Sequence, residues 1–429
     1  MIWKFLKKSP DKTPIETSPT EATVNHLPLS YLQKLIPLGD LPAAELLAIP
    51  ATMHNFNPGD IIFNRGAASE QLSYLYTGTV YLEANNGTGY TINADTFKAF
   101  YPLATSGEHT FSAIAKSPTQ VIYMPLSNLQ HSSKPVNNPL INPERIPPKL
   151  RDSFFFDSFC DTFRADNLHV PSLPDVALRL RSALQKDISI ADAVKILNLD
   201  PVISSKLIQV ANSPIYRSDN PITSGHDAVN RLGFKTTQNL VTSISLHQLF
   251  RSRNRQLNNI IQTLWKQSIQ IASLSHTLAG ITRKINADEA LLAGLIHNIG
   301  ALPIVTFAES IDISRYTEEE LQASIDCLQG LVGTYILKKW HFPDNFQQIP
   351  INTTHWYYDN GQGLQLHDVV LLAKFHNQLG GANTQKLPPL NTLPAFKKLD
   401  DSTLTPDMSL KALHDAKQQI ADALIFFRT

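Results

Sequence analysis

Histidine, cysteine and carboxylate side chains are where this chain could do chemistry, and their spacing decides which kind. Fourteen histidines are available. None pairs with another at i, i+4 beside an acidic residue, the arrangement that metal-assisted hydrolysis on a helix needs. Only Cys160 and Cys327 occur, outside any C-x-x-C, so neither a disulfide scaffold nor a cysteine zinc site follows. There is no glycine-rich phosphate loop and no G-x-S-x-G turn, the motifs of phosphoryl transfer and of a serine nucleophile. Lys235-Thr236-Thr237-Gln238 opens a helical segment whose N-terminus could meet an anion, although Thr236 as an ordinary cap explains the same residues. His276, His297 and His355 read as buried, hydrogen-bonded histidines at helix packing points.

Composition narrows the classes further. A chain of 429 residues exceeds what one core usually serves, so two domains with tails are expected. Thirty-seven basic residues balance 37 acidic ones, which gives no electrostatic reason to expect a nucleic-acid partner. No apolar run reads as approaching the roughly 20 residues of a membrane span. Residues 1–8 (MIWKFLKK) lack the apolar core of a signal peptide. The expected compartment is the cytoplasm.

The elements that must position any site follow in chain order. Residues 1–27 read as a flexible tail, rich in Pro, Thr and Ser. Two short helical patterns follow, LSYLQKLIPL and LPAAELLAI, the second with Asp40 as candidate cap. From Ala51 short β-prone runs alternate with turns: Asn57-Pro58-Gly59-Asp60, then IIFN, LSYLYTG, TVYLEA, a tip at Asn86-Gly87, TINA, TFSAIA and TQVIYMP. That spacing predicts an antiparallel roll over residues 28–132. Residues 133–165 are a Pro-rich linker interrupted by an aromatic cluster, Phe154 to Phe163, expected to pack between domains. From residue 166 to 378 the period is helical. Asp200-Pro201 starts a helix with Ile203, Leu207 and Val210 on one face. Gln256 to Thr282 reads as one long helix, Asn286 caps ALLAGLIHNIGAL, and Thr317 caps the helix that ends near Trp340. Residues 379–429 read as a loop and then an amphipathic helix carrying Leu410, Leu413, Ile420 and Leu424, docked on the body or serving a homodimer. The predicted class is multidomain α+β, a β-roll followed by an all-α bundle.

Two stretches carry a resemblance. LPDVALRL, the Asp-Pro helix ending in Ala-Asn-Ser, Pro-Ile-Thr-Ser, Arg-Leu-Gly-Phe and Asn-Leu-Val resemble the opening half of an HDOD domain, the HD-related output domain of bacterial signalling proteins. LWKQSIQIASLSHTLA, ALLAGLIHNIGAL and LVGTYILKKWHFP continue the likeness in the family's order. PGDIIFNRG (Pro58 to Gly66) and LYTGTVYL (Leu75 to Leu82) resemble the first half of a cyclic-nucleotide-binding β-roll.

What the resemblances imply can be checked position by position. A cyclic-nucleotide cassette offers a Gly-Glu pair for the ribose and an Arg for the cyclic phosphate. Here Lys98 and Ala99 stand where Gly-Glu would, and His109 or Thr110 where the Arg would. The expectation is a degenerate roll that binds no cyclic nucleotide. The HD hydrolases, similar in fold, hold a divalent ion with His, a His-Asp pair, further His residues and a distal Asp. In this sequence those positions are Gln267, His297-Asn298, Gln329, Thr354-His355 and Lys374. An amide is a weak ligand and an ammonium repels the ion, so the resemblance implies no metal, no cofactor and no catalytic residue. The expected function is non-enzymatic signalling through an unidentified protein partner. The alternatives are a metal-dependent phosphohydrolase or a regulator binding a different nucleotide.

Overall fold

Turn chemistry organises the N-terminal half. The computed structural model describes residues 21–23, 27–69, 71–85, 87–105, 107–125, 146–186, 188–216, 220–379, 386–400, 410–416 and 420. Its first elements are β1 (Glu21–Thr23), α1 (Leu29–Leu32), α2 (Ala43–Ala48), β2 (Thr52–Phe56), β3 (Ile61–Phe63), β4 (Ala68–Ser69) and β5 (Gln71–Thr77). After them come β6 (Thr79–Glu83), β7 (Gly89–Asn93), β8 (Gly107–Glu108), β9 (Ser112–Ala115) and β10 (Thr119–Pro125). Gly59 at φ 95° makes the turn after β2 possible, and the Asn57 N–H donates to the Asp60 carboxylate at 2.7 Å. Two four-stranded antiparallel sheets result, β1-β2-β10-β5 and β3-β9-β6-β7, with β4 and β8 paired alone.

Alternation along the strands buries both faces of the first sheet. Leu75 and Val121 join Val80, Leu82 and Ile92 in one core. Leu72, Tyr74, Ile122 and Met124 pack instead with Leu32, Leu35 and Leu46 of the α1–α2 segment. Two expectations change here. The stretch read as tail contributes β1, in register with β2 through Ala22 and Met53; an edge strand needs only backbone donors and acceptors, which composition does not reveal. Asp40 ends a 3-10 turn, and the cap of α2 is Pro42, whose fixed φ of −54° sets the helix entry without a side-chain bond.

The second half is helical: α3 (Phe154–Arg164), α4 (Asp175–Leu184), α5 (Ile190–Leu197), α6 (Pro201–Ala211), α7 (Gly225–Leu246) and α8 (Arg255–Thr282). Then follow α9 (Ala287–Ile296), α10 (Ala301–Ala308), α11 (Glu318–Lys339), α12 (Asp344–Gln347), α13 (Ile349–Asn352) and α14 (Leu366–Gln378). Side chains cap as the sequence indicates. Asp200 accepts from Val202 and Ile203, Asn286 accepts from Glu289, and Thr317 forms a reciprocal capping box with Glu320. Helix α8 is the central rod, against which α9 and α14 pack. Gly294 permits the α8–α9 approach, since a Cβ there would lie 2.5 Å from Ala272 Cα. A Cβ on Gly300 would lie 2.0 Å from the Gln329 carbonyl oxygen of α11.

Four further expectations are corrected in the bundle. The Phe154–Phe163 cluster is not an interdomain filler: it is α3, with Phe155 5.7 Å from Phe307 and 5.1 Å from Tyr316 of the bundle. ALLAGLIHNIGAL is not one helix, because a turn at 297–300 separates α9 from α10. Together, residues 287–308 form a stretch of 22 residues in which an 18-residue window has a mean hydropathy of 1.7, long and apolar enough to cross a membrane, contrary to the sequence reading; 89% of that window is buried inside the protein. Thr236 is no cap: α7 breaks at Gly233 (φ 75°), and the Thr236 hydroxyl donates to Asp288 at 2.8 Å.

The roll and the bundle meet through a segment that reads as loop in the sequence. Leu387, Leu390, Leu393 and Phe396 are buried, and the stretch ends in the short helix α15 (Pro394–Lys397). Tyr90 donates to Asn391 Oδ1 at 2.9 Å, Tyr101 to the Lys386 carbonyl at 2.6 Å, and Thr105 to the Thr392 carbonyl at 3.0 Å. On the bundle side Lys398 Nζ lies 3.1 Å from Asp368 of α14 and 3.0 Å from Asp359. Beyond it, α16 (Lys411–Asp415) docks on α8 with Leu410 and Leu413 buried; Leu424 lies outside the described residues.

Candidate functional site

The residues aligned with a metal centre do not converge as a ligand set. His297 follows α9 at the turn into α10, where its Nδ1–H donates to the Gly294 carbonyl at 2.7 Å. Burial first, then the charge of Lys374, pushes its imidazole down to about 4, against the hydrogen bond it donates to the Gly294 carbonyl. It is therefore neutral at physiological pH, the form a metal would require.

Its neighbours are otherwise engaged. Asn298 is buried and spends its amide on α8: Oδ1 accepts from the Ser268 hydroxyl at 2.8 Å, and Nδ2 donates to the Leu264 carbonyl at 3.3 Å. Gln267, the position of the first family histidine, is exposed on α8, next to the buried Ser268. Gln329 is half-buried on α11, beside the Gly300 crossing. His355 is half-buried after α13, and the preceding Thr354 turns its hydroxyl onto the Ile351 carbonyl at 2.7 Å.

Lys374 decides the electrostatics. Helix α14 carries its ammonium inward, where it donates to the Thr353 carbonyl at 2.9 Å and lies 5.4 Å from the centre of the Trp356 ring. Burial lowers its pKa to about 8, with Asp326 opposing. It remains mostly cationic at neutral pH. A cation is thus already installed beside His297, near the position that the sequence reading aligns with an anionic ligand. A divalent ion does not fit this donor set: the imidazoles of His297 and His355, an amide committed to α8, and an ammonium. Among the described residues no group of three His, Cys, Asp or Glu side chains could hold a metal ion.

The altered cassette is also split. Lys98 and Ala99 lie in a 3-10 turn, Phe97–Phe100, with Ala99 buried and the Lys98 ammonium 5.7 Å from the Tyr90 ring centre. His109 and Thr110 lie elsewhere, on the wall of a cleft of about 500 Å³ between the roll and α15. His109 stacks on Phe63 with ring centres 4.1 Å apart, and burial followed by the charge of Lys397 lowers its pKa.

Sequence reasoning missed a buried polar cluster. Asp288 of α9 accepts from Tyr216 and Thr236, with His276 Nε2 3.8 Å away. Those residues are scattered over 72 positions, and no local pattern links them. The Lys374 contacts were equally hidden, since Thr353 acts through its backbone.

Comparisons with known proteins bear on the fold of both halves. Residues 170–355 match the family model described as HDOD domain. A curated relative from Treponema pallidum (strain Nichols), named only as an uncharacterized protein, is 24% identical over 191 residues, covering 41% of this chain and 36% of that protein. The chain thus spans about a third of the length of the curated relative it matches. Among solved structures, a protein from Shewanella amazonensis SB2B with the provisional name metal-dependent phosphohydrolase is 26% identical, with a TM-score of 0.57, covering 64% of this chain and 98% of that one. The roll is similar to a cyclic nucleotide-binding domain from Methylobacillus flagellatus KT at 15% identity and a TM-score of 0.20, over 24% of this chain and 62% of that one.

Proposed function

With the HDOD domain at residues 170–355 as premise, we propose that this chain is a non-enzymatic regulatory protein of bacterial signal transduction. The β-roll is its sensor or docking module, and the helical domain binds a partner protein. One observation carries the reading: the Lys374 ammonium is hydrogen-bonded within the bundle beside His297, where metal chemistry needs an anionic ligand. A partner-binding output needs only a surface whose presentation depends on the state of the rest of the molecule.

The second reading, a metal-dependent phosphohydrolase, is favoured by the name of the Shewanella protein and opposed by the side chains at the aligned positions. The two separate in one assay. The purified full chain is incubated with manganese or ferrous iron and a panel of nucleotides and cyclic dinucleotides. Turnover no faster than the metal alone, with the same protein capturing a partner from bacterial lysate in an HDOD-dependent manner, supports the regulatory reading. Turnover that disappears in His297→Ala establishes the enzyme instead.

A further inference from the structure

Arg251, Arg253 and Arg255 fall within five residues at the α7–α8 connection, and all three are exposed. A chain with as many acidic as basic residues gives no general reason for such a run. The carboxylates beside this turn are engaged elsewhere. Asp200 accepts from the backbone of Val202 and Ile203 and from the Gln248 amide, and Glu309 accepts from the Ser252 hydroxyl. Among the described residues, none of the three guanidinium groups forms an ion pair. Lys206 of α6 adds a fourth cation from the neighbouring element. Burial, then the charges of Lys206 and Arg251, lowers the pKa of His247, whose ring stacks on Trp265 at 5.0 Å.

Apolar surface lies on both sides of the turn. On one, Leu199 and Val202 are 56% and 61% exposed at the start of α6, which the bond from Gln248 to Asp200 ties to the turn. On the other, Leu257, Ile260, Tyr316 and Leu321 line a pocket of about 120 Å³ between the starts of α8 and α11, together with Ile313, itself 61% exposed. Asn254, which separates Arg253 from Arg255, belongs to the same lining, so the arginine run and the pocket form one surface. Tyr316 packs on the buried Phe155 of α3, ring centres 5.1 Å apart, so the pocket exists without a partner. Its volume falls below the roughly 300–1,000 Å³ of small-molecule sites and suits a single apolar side chain.

We propose that this surface docks a partner protein through an acidic segment carrying an apolar anchor. The anchor fills the pocket between α8 and α11, and its Asp or Glu neighbours lie over Arg251, Arg253 and Arg255. Leu199 and Val202 meet a second apolar residue of the same segment. Glu318, the one carboxylate in the lining, turns the acidic residues away from α11 and towards the arginines. Nucleic acid is the poorer fit: its phosphates would meet the arginines but bring no side chain for the pocket and leave Leu199, Val202 and Ile313 uncovered. The inference rests on the regulatory reading, whose output surface it makes specific.

The test is selection of displayed random dodecapeptides on the immobilised full chain, followed by fluorescence anisotropy of the enriched peptides in solution. The expected sequences place Asp or Glu beside a Leu, Ile or Phe. Their affinity falls at least about tenfold in the double variant Arg253→Glu, Arg255→Glu, and it falls as salt is raised. Ile313→Asp weakens the same peptides, Arg253→Lys with Arg255→Lys costs less than the charge reversal, and Lys374→Met leaves binding unchanged. The substituted surface residues are exposed, and circular dichroism with a thermal melt checks each variant; should the reversal fail to fold, Arg253→Gln with Arg255→Gln takes its place with a smaller loss. No enrichment, or enrichment of sequences without acidic residues, overturns the proposal. So does equal affinity in the double variant, or tighter binding of a fluorescent DNA duplex or of phosphatidylglycerol vesicles through the same arginines. Nucleotide turnover that disappears in His297→Ala would overturn the regulatory reading and the proposal with it, whereas failure of the peptides alone removes this surface and leaves that reading standing.

Discussion

Replacing Lys374 with Met gives a test whose magnitude can be worked from the structure. The ammonium has an ordinary pKa of 10.5 and a folded value of about 8. At pH 7 both folded and unfolded chains hold the proton, so wild type bears the full cost of the buried charge, offset by the bond to the Thr353 carbonyl. Between pH 8 and 10.5 the folded state has released its proton while the unfolded chain still binds it. Stability then rises with pH. Integrating the two titrations from pH 7 to pH 10 gives a gain of about 2–3 kcal/mol in wild type that Lys374→Met cannot show. At pH 7 the variant should lie within about 2 kcal/mol of wild type, because relief of charge burial offsets a carbonyl left unpaired. Urea melts of both proteins at pH 7, 8, 9 and 10 measure the double difference, in which other titrating groups cancel. Parallel stability curves would falsify the claim that a buried cation occupies this position.

Three further outcomes are expected. In an NMR titration of the folded protein, His297 should stay neutral until about pH 4. Stability should accordingly fall as pH drops from 6.5 towards 4, where only the unfolded chain takes the proton; a folded-state midpoint near 6.5 contradicts the burial argument, and Lys374→Met should raise it. Asn298→Asp restores the residue type of the metal enzymes but loses the donor to Leu264, so a loss of about 2–4 kcal/mol in a denaturant melt is expected, without retained manganese. Lys398→Met strands the Asp368 carboxylate, which is 1% exposed, at a cost of about 3–5 kcal/mol and with faster hydrogen exchange over residues 386–399. Adding Asp368→Asn should restore much of that loss, and failure to do so removes Lys398 as the tether.

Local signals made most of the architecture legible. Strand alternation and the turn at Asn57–Asp60 marked the roll, while Asp200, Asn286 and Thr317 marked helix starts that the structure confirms by their hydrogen bonds. What stayed hidden acts at long range. The seam segment reads as loop because prolines interrupt it, yet Leu387, Leu390, Leu393 and Phe396 recur every third residue, a spacing that signals burial once it is sought. The aromatic run at Phe154 names no partner until Phe307 and Tyr316 are placed beside it. At the candidate metal site, residue types alone carried the expectation of replaced ligands. Where the replacements point was not legible: Gln267 is exposed, Asn298 is bound to its neighbouring helix, and Lys374 reaches a backbone carbonyl 21 residues away.

The most direct measurement of the central claim is a manganese titration of the full chain followed by electron paramagnetic resonance. If the lysine cation holds the position beside His297, the six-line signal of free manganese rises in step with added metal from the first addition. Loss of one equivalent of that signal, restored by His297→Ala, would show a divalent ion bound where the account places an ammonium.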